Sequence, residues 1–209
     1  MPSASMNRLM DNARVRLPGA LDNTILAELF SVVNDFCSSS NVWRQQFDFE
    51  VLTRTTVPLT APDDFTYTLY PPTGARIVRF LGVIDEGNVP VRAQLLEPNS
   101  VFLERSPSSD STYQALAVLT VTYPVTRAGE PMVPDWIVSD FNDVLLDGVL
   151  ARMMSQAAKP YTSLSMGALH YGLFKKGIAD ARIAKDSGNV YGRQNWSFPR
   201  NFRTSNRGR

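Results

Sequence analysis

Between Pro134 and Gly188 the apolar residues recur at steps of three and four, and this pattern limits the fold more than any other feature of the sequence. Trp136, Ile137, Phe141, Val144, Leu145, Gly148, Val149 and Met153 fall on one face of an α-helix, and such a face has to be buried. Pro134 and Asp135 suit a helix start, because proline lacks an N–H that the first turn leaves unpaired and an early carboxylate meets the positive end of the dipole. Pro160, in the hinge Lys159-Pro160-Tyr161, stops the pattern. A second helix is expected from about Ser163 or Ser165, with Met166, Leu169, Leu173, Phe174, Ile178, Ala181 and Ile183 inward, ending at Asp186-Ser187-Gly188. Gly167, Gly172 and Gly177 weaken that helix and point to close backbone approach. So short a connection predicts an antiparallel hairpin about 40 Å long at 1.5 Å per residue.

The 209 residues can bury one good core, and 44% hydrophobic with 20% charged residues is an ordinary globular balance. No run approaches a membrane span, and residues 1–16 lack the apolar block of a secretory signal, so a protein made and kept in the cytoplasm of its cell is expected. The single cysteine, Cys37, reads as a small core residue. Net charge is only +1, but it is unevenly spread. Arg193, Arg200, Arg203, Arg207 and Arg209 face no acid between 189 and 209, and Arg8, Arg14 and Arg16 outnumber Asp11 in the first sixteen residues. The ends are basic and the body is acidic.

In chain order, residues 1–16 have no sustained apolar period and read as a flexible arm. The body is expected to span 17–188. Its first helix, 22–39, is capped by Asp22 or Asn23 and buries Ile25, Leu29, Val32, Val33 and Phe36. From 43 to 124 the period changes to that of strands, with turns at Ala61-Pro62-Asp63-Asp64, Pro71-Pro72-Thr73-Gly74 and Asp85-Glu86-Gly87-Asn88. A hairpin is expected between Arg76–Ile84 and Val89–Leu96, and Tyr113–Tyr123 alternates most clearly. The predicted fold is α+β: a helical bundle with a long antiparallel helical hairpin over 134–188, an inserted small antiparallel β-sheet, and a basic C-terminal extension over 189–209.

Side chains that carry chemistry are sparse. One histidine, His170, and one cysteine assemble no metal cluster and no nucleophile pair, and no phosphate-binding glycine pattern occurs. His170 reads as a surface or packing residue. The pairs Asp63-Asp64 and Asp85-Glu86 fit turn chemistry. Asp135, Asp140, Asp143 and Asp147 share a polar helix side, which is either a solvated face or an acidic stripe that meets a basic partner or lines a channel repelling DNA. Neither an enzyme nor a cofactor is expected. The most unusual stretch runs from Tyr191 to Arg203, with Trp196, Phe198 and Phe202 among arginines. Large rigid aromatics carry binding energy when buried, so it reads as a docking arm. It could also fold back on its own domain, or stack single-stranded nucleic acid.

Leu17-Pro18-Gly19-Ala20, Phe36-Cys37, Val42-Trp43, Val133-Pro134-Asp135-Trp136, Ala157-Ala158-Lys159-Pro160-Tyr161, Phe174-Lys175-Lys176-Gly177-Ile178 and Trp196-Ser197-Phe198-Pro199-Arg200-Asn201-Phe202 together resemble the head-to-tail adaptor (connector) proteins of short-tailed and related tailed phages, over about residues 17–203. The resemblance implies a structural virion protein at the head-tail junction, in a homo-oligomeric ring, usually twelve-fold, under the portal protein. Such a ring extends the channel for double-stranded DNA without reading its sequence and offers a platform to tail or nozzle proteins. It also implies portal contact through Arg193, Trp196, Phe198, Arg200, Phe202 and Arg203, and a ring or channel wall carrying Asp140, Asp143, Asp147, Leu146 and Leu150. Loop tips at Asp85–Asn88 and Pro71–Gly74 would face the tail. The alternatives are another virion ring protein, such as a tail terminator or tail-tube component, and a small DNA-binding module using the basic ends.

Overall fold

A computed structural model describes residues 4–51, 66–96, 99–104, 111–122 and 133–186. In chain order the elements are α1 (Ala4–Arg16), α2 (Asp22–Ser40), β1 (Arg44–Val51), β2 (Thr66–Thr68), β3 (Ala75–Ile84), β4 (Pro90–Val91), β5 (Ala93–Leu96), β6 (Ser100–Leu103), β7 (Ser111–Val121), α3 (Asp135–Asp140), α4 (Asn142–Met154) and α5 (Leu164–Asp186). The expected turn at 61–64, the segment 124–132 and the extension 189–209 lie outside the described residues.

The architecture corrects the predicted helical bundle with one long hairpin. Among the described residues the chain is a mixed α+β fold with five helices and two antiparallel sheets. One sheet has the order β1-β7-β3-β4 and the other β2-β6-β5. Two events account for the difference. The helical pattern after Pro134 breaks at Phe141, whose φ of −117° and ψ of 25° end α3 and begin α4, and whose ring packs 4.8 Å from Phe36. The predicted hairpin also divides. Strand β3 pairs with β4 only at Val83↔Val91 and Ile84↔Pro90, after which the chain turns away and β5 pairs with β6. Proline cannot donate to the ladder, so Pro90 keeps that pairing short.

The central strand is β7, flanked by β1 through Arg44↔Val118 to Val51↔Ser111 and by β3 through Ala75↔Val121 to Ile84↔Gln114. Its odd-numbered positions Tyr113, Ala115, Ala117, Leu119 and Val121 are buried, as alternation predicts, but so are Val118 and Thr120 on the other face. Helix α2 covers that second face. Thr120 donates its hydroxyl to Asn34 Oδ1 (3.0 Å), and Arg79 donates to Asn41 Oδ1 (3.0 Å). On the first face Phe49 lies 5.1 Å from Tyr67 of the second sheet and 5.9 Å from Tyr113. Burial raises the Tyr67 phenol pKa, with a smaller contribution from Tyr113.

Helix α2 ends where Asn41 takes a left-handed φ of 56° and its N–H bonds Cys37 O (3.2 Å). The sequence places a side-chain cap at Asp22 or Asn23; instead Leu21 is the N-cap without one, and Asp22 accepts both arms of Arg14 at 2.8 Å. Residues 1–16 also depart from expectation. Most of them form α1, with Met6, Leu9, Met10 and Ala13 buried in the common core. These four residues, at steps of three, one and three, give only a faint apolar period because Ser, Asn and Arg dilute the pattern.

Helix α4 lies between α2 and α5 and is buried nearly all round, at Leu145, Leu146, Gly148, Val149, Leu150, Ala151, Met153 and Met154. A Cβ at Gly148 would sit 2.5 Å from Val32 Cγ1 and 3.0 Å from the Phe174 ring, so no other residue fits this crossing without movement. A Cβ at Gly177 would sit 2.6 Å from Val144 and one at Gly167 2.9 Å from Ser155 Oγ, which accounts for both glycines of α5 at the α4 seam. Gly172 faces open space.

Gly148→Ala should cost about 1–3 kcal/mol by overpacking, whereas Gly172→Ala should gain up to about 1 kcal/mol, as read from urea midpoints. The Arg14 hydrogen bonds hold the Asp22 carboxyl below its ordinary value. The stability this pair supplies is therefore complete above the ordinary aspartate range and is lost as pH falls through the lowered value. Comparing thermal midpoints of the native chain and Asp22→Asn from neutral to acid pH should show the gap closing at the acid end, and added salt should shrink it throughout.

Candidate assembly surface

Helix α5 has two chemically different sides. Its inward side is Gly167, His170, Phe174, Ile178 and Ala181, at steps of three, four, four and three, all buried against the chain's own core. Antiparallel packing on α4 follows from the pairs Gly167 with Ala151, Phe174 with Gly148, and Gly177 with Val144. Within this seam His170 Nδ1 lies 2.8 Å from Asp147 Oδ1. A buried polar ring and a half-buried carboxylate satisfy each other and fix the register of the two helices.

The outward side is also apolar. Leu164 (69%), Met166 (43%), Leu169 (55%), Leu173 (43%) and Ile183 (63%) are all substantially exposed. Four of the residues expected inside, Met166, Leu169, Leu173 and Ile183, thus lie outside. The sequence pattern fits either side, and the choice was made by the glycines and His170, which apolar counting passes over. Polar residues interrupt this side: exposed Lys176 and Asp180 fall at helical spacing between Leu173 and Ile183, so Met166, Leu169 and Leu173 form the apolar cluster and Ile183 stands apart. Lys175 stands 5.4 Å over the Tyr171 ring, and Arg182 is exposed. At the N-terminal end the surface opens into a groove of about 530 Å³ lined by Glu28, Arg152, Gln156, Leu164 and Tyr171. Its charges are paired, since Arg152 donates to Asp35 (2.5 Å) and Gln156 to Glu28 (3.3 Å).

The acidic stripe does not stay together. Asp140 closes α3 and accepts from the Ser139 hydroxyl (3.0 Å), and Asp143 is exposed in the first turn of α4. Asp147 turns inward to His170. Leu146 and Leu150, expected on a ring wall, are 4% and 0% exposed within the chain's own core, because α4 has neighbours on both sides. Trp136, expected inside, is 41% exposed. Arg193, Trp196, Phe198, Arg200, Phe202 and Arg203 lie outside the described residues.

Of the two expected loop tips, the one at Asp85–Asn88 is tied down. Asp85 Oδ1 accepts the N–H groups of Gly87 (2.9 Å) and Val89 (2.8 Å), while Glu86 accepts the Thr112 N–H at 2.9 Å. Gly74 takes φ 79° in the other, and Ala75 N–H bonds Pro72 O at 2.9 Å. Cys37 is buried, and desolvation pushes its thiol up to about 12, so it stays protonated. Among the described residues no group of three or more His, Cys, Asp or Glu could hold a metal ion, and no helix is long and apolar enough to cross a membrane.

No protein-family model matches this chain, and no curated protein matches it. The surface must therefore be read from its own chemistry. It carries several exposed large apolar side chains on one helix, which makes it the candidate interaction surface among the described residues.

The two sides of α5 should separate in mutagenesis. Phe174→Ala should lower the unfolding free energy by about 3–5 kcal/mol, and Leu169→Ala by less than about 0.5 kcal/mol, in urea denaturation at low protein concentration.

Proposed function

We propose that this chain is a structural virion protein that assembles into a homo-oligomeric ring joining the portal vertex to the tail and extending the DNA channel. The observation that carries the reading is the exposed apolar stripe of α5, beside an inner side already filled by the chain's own core. A closed ring uses two different patches on every subunit, and a long helix with a free apolar side supplies one of them. The second patch is the acidic stretch along α3 into the first turn of α4, where Asp135, Trp136, Asp140 and Asp143 are exposed. Lys175, Lys176 and Arg182 on α5 complement it in charge.

The wall assigned to Leu146 and Leu150 thereby moves to Leu169 and Leu173. The resemblance to phage adaptors supports the remaining assignments: portal contact through Arg193, Trp196, Phe198, Arg200, Phe202 and Arg203, tail or nozzle proteins at the strand tips, and passage of double-stranded DNA without sequence recognition. The role needs neither catalysis nor cofactor. Location in the virion, at the head-tail junction, follows from it.

The test mixes purified full-length protein with purified portal rings and follows complex mass by sedimentation. One copy per portal subunit is expected. Leu169→Glu with Leu173→Glu should leave folded monomers that bind portal weakly or incompletely, and Trp196→Ala with Phe198→Ala should abolish capture. No binding of the native chain at any concentration would overturn the reading.

A further inference from the structure

The sheets differ in how their edges are protected. At one edge of the first sheet β4 is two residues long and begins with Pro90, and the second sheet ends in strands of three and four residues, β2 and β5. Short strands and proline are ordinary ways to blunt an edge against further pairing. Strand β1 has neither. It is eight residues long, it pairs on one side only, with β7, and among the described residues its other side has no strand partner. An edge of this length, carrying Phe47 and Phe49, invites another strand.

We infer that the open edge of β1 receives residues 190–198 of the same chain as an added strand. Three observations point to this occupant. First, Asp186, the last residue of α5, is ion-paired with Arg44, the first residue of β1, and Arg44 also donates to Asn41 O at 3.1 Å. The C-terminal segment therefore departs from the head of the open edge, and three residues, 187–189, can bridge up to about 10 Å to reach it.

Second, the segment has the period of a strand that half-buries itself. Val190, Trp196 and Phe198 share one side, and Tyr191, Arg193, Asn195 and Ser197 share the other, with Pro199 ending the pairing. Nine residues span about 30 Å, enough to cover an eight-residue strand. Third, the sides match. In β1 Phe47 and Phe49 point toward the aromatic contacts with Tyr67 and Tyr113, while Asp48 and Glu50 are exposed on the opposite side. Trp196 and Phe198 extend the aromatic side, and Arg193 meets the carboxylates.

This goes beyond the ring reading and stands without it. If the portal also takes these residues, it competes with the β1 edge, and the edge holds the arm until the portal arrives.

The test is hydrogen exchange by mass spectrometry on the full-length chain without portal, at two protein concentrations, beside full-length Gln194→Pro and Trp196→Asp. Both substitutions fall outside the described residues, and far-UV circular dichroism checks that the fold is intact. In the native chain, peptides covering 44–51 should show protection of the amides that do not face β7. Those amides should exchange at least about tenfold faster in either variant. The protection should not depend on concentration. Unchanged exchange in both variants would overturn the inference, and so would protection that rises with concentration, which would assign the edge to a second copy.

Discussion

The close approach of α2, α4 and α5 at Gly148 is the constraint on which the other packing depends. With Val32 and the Phe174 ring both against Gly148, there is no room for a side chain at this position. That clamp forces α4 to bury almost its whole circumference. It also fixes α2, whose far side lies on β7 through Asn34 and Thr120. The sheet is thus linked to α5 through α2, which touches α5 directly as well as by way of α4. The ion pair between Asp186 and Arg44 closes the circuit at the end of α5.

The sequence made the class α+β legible, along with the positions of α2, α5 and most of the strands, because these rest on local period and turn residues. The long strand β7 and the turn at Asp85–Asn88 belong to that group. Connectivity between strands was less legible. Residues 76–96 read as one hairpin, yet Pro90 and the chain after Arg92 give β5 to a second sheet, a decision made by pairing with Val101 and Leu103 that no local signal records. The single long helix expected after Pro134 failed for a similar reason. The Phe141 ring packs on Phe36 where the helix is interrupted, and Phe36 is more than one hundred positions away in sequence.

The candidate surface was visible as residues but assigned to the wrong side. Apolar counting treats Leu169 and Leu173 as better core residues than Gly167 and His170. Close packing reverses that order, because the glycines admit Val144 and Ser155 and His170 finds Asp147. Once α4 occupies the inward side, the leucines have nowhere else to go within the chain. The same logic explains Leu146 and Leu150. A residue off the main stripe need not face a neighbour when its helix already has partners on two sides.

The chain therefore leaves two surfaces whose unmet needs differ in kind. The outer side of α5 offers apolar area, which any partner of complementary shape can cover, and its specificity must come from the lysines and Arg182 around it. The β1 edge has no strand partner among the described residues, and backbone groups there are best satisfied by another extended backbone, so geometry restricts its partner far more. The surfaces lie on different elements and adjoin only where Asp186 pairs with Arg44. A terminal strand held on β1 would leave α5 free to pack against a neighbouring subunit, and taking that strand away would expose the edge without disturbing the helix contact. Ring formation and capture of the arm are then separable steps, and their order can be set by which partner is present first.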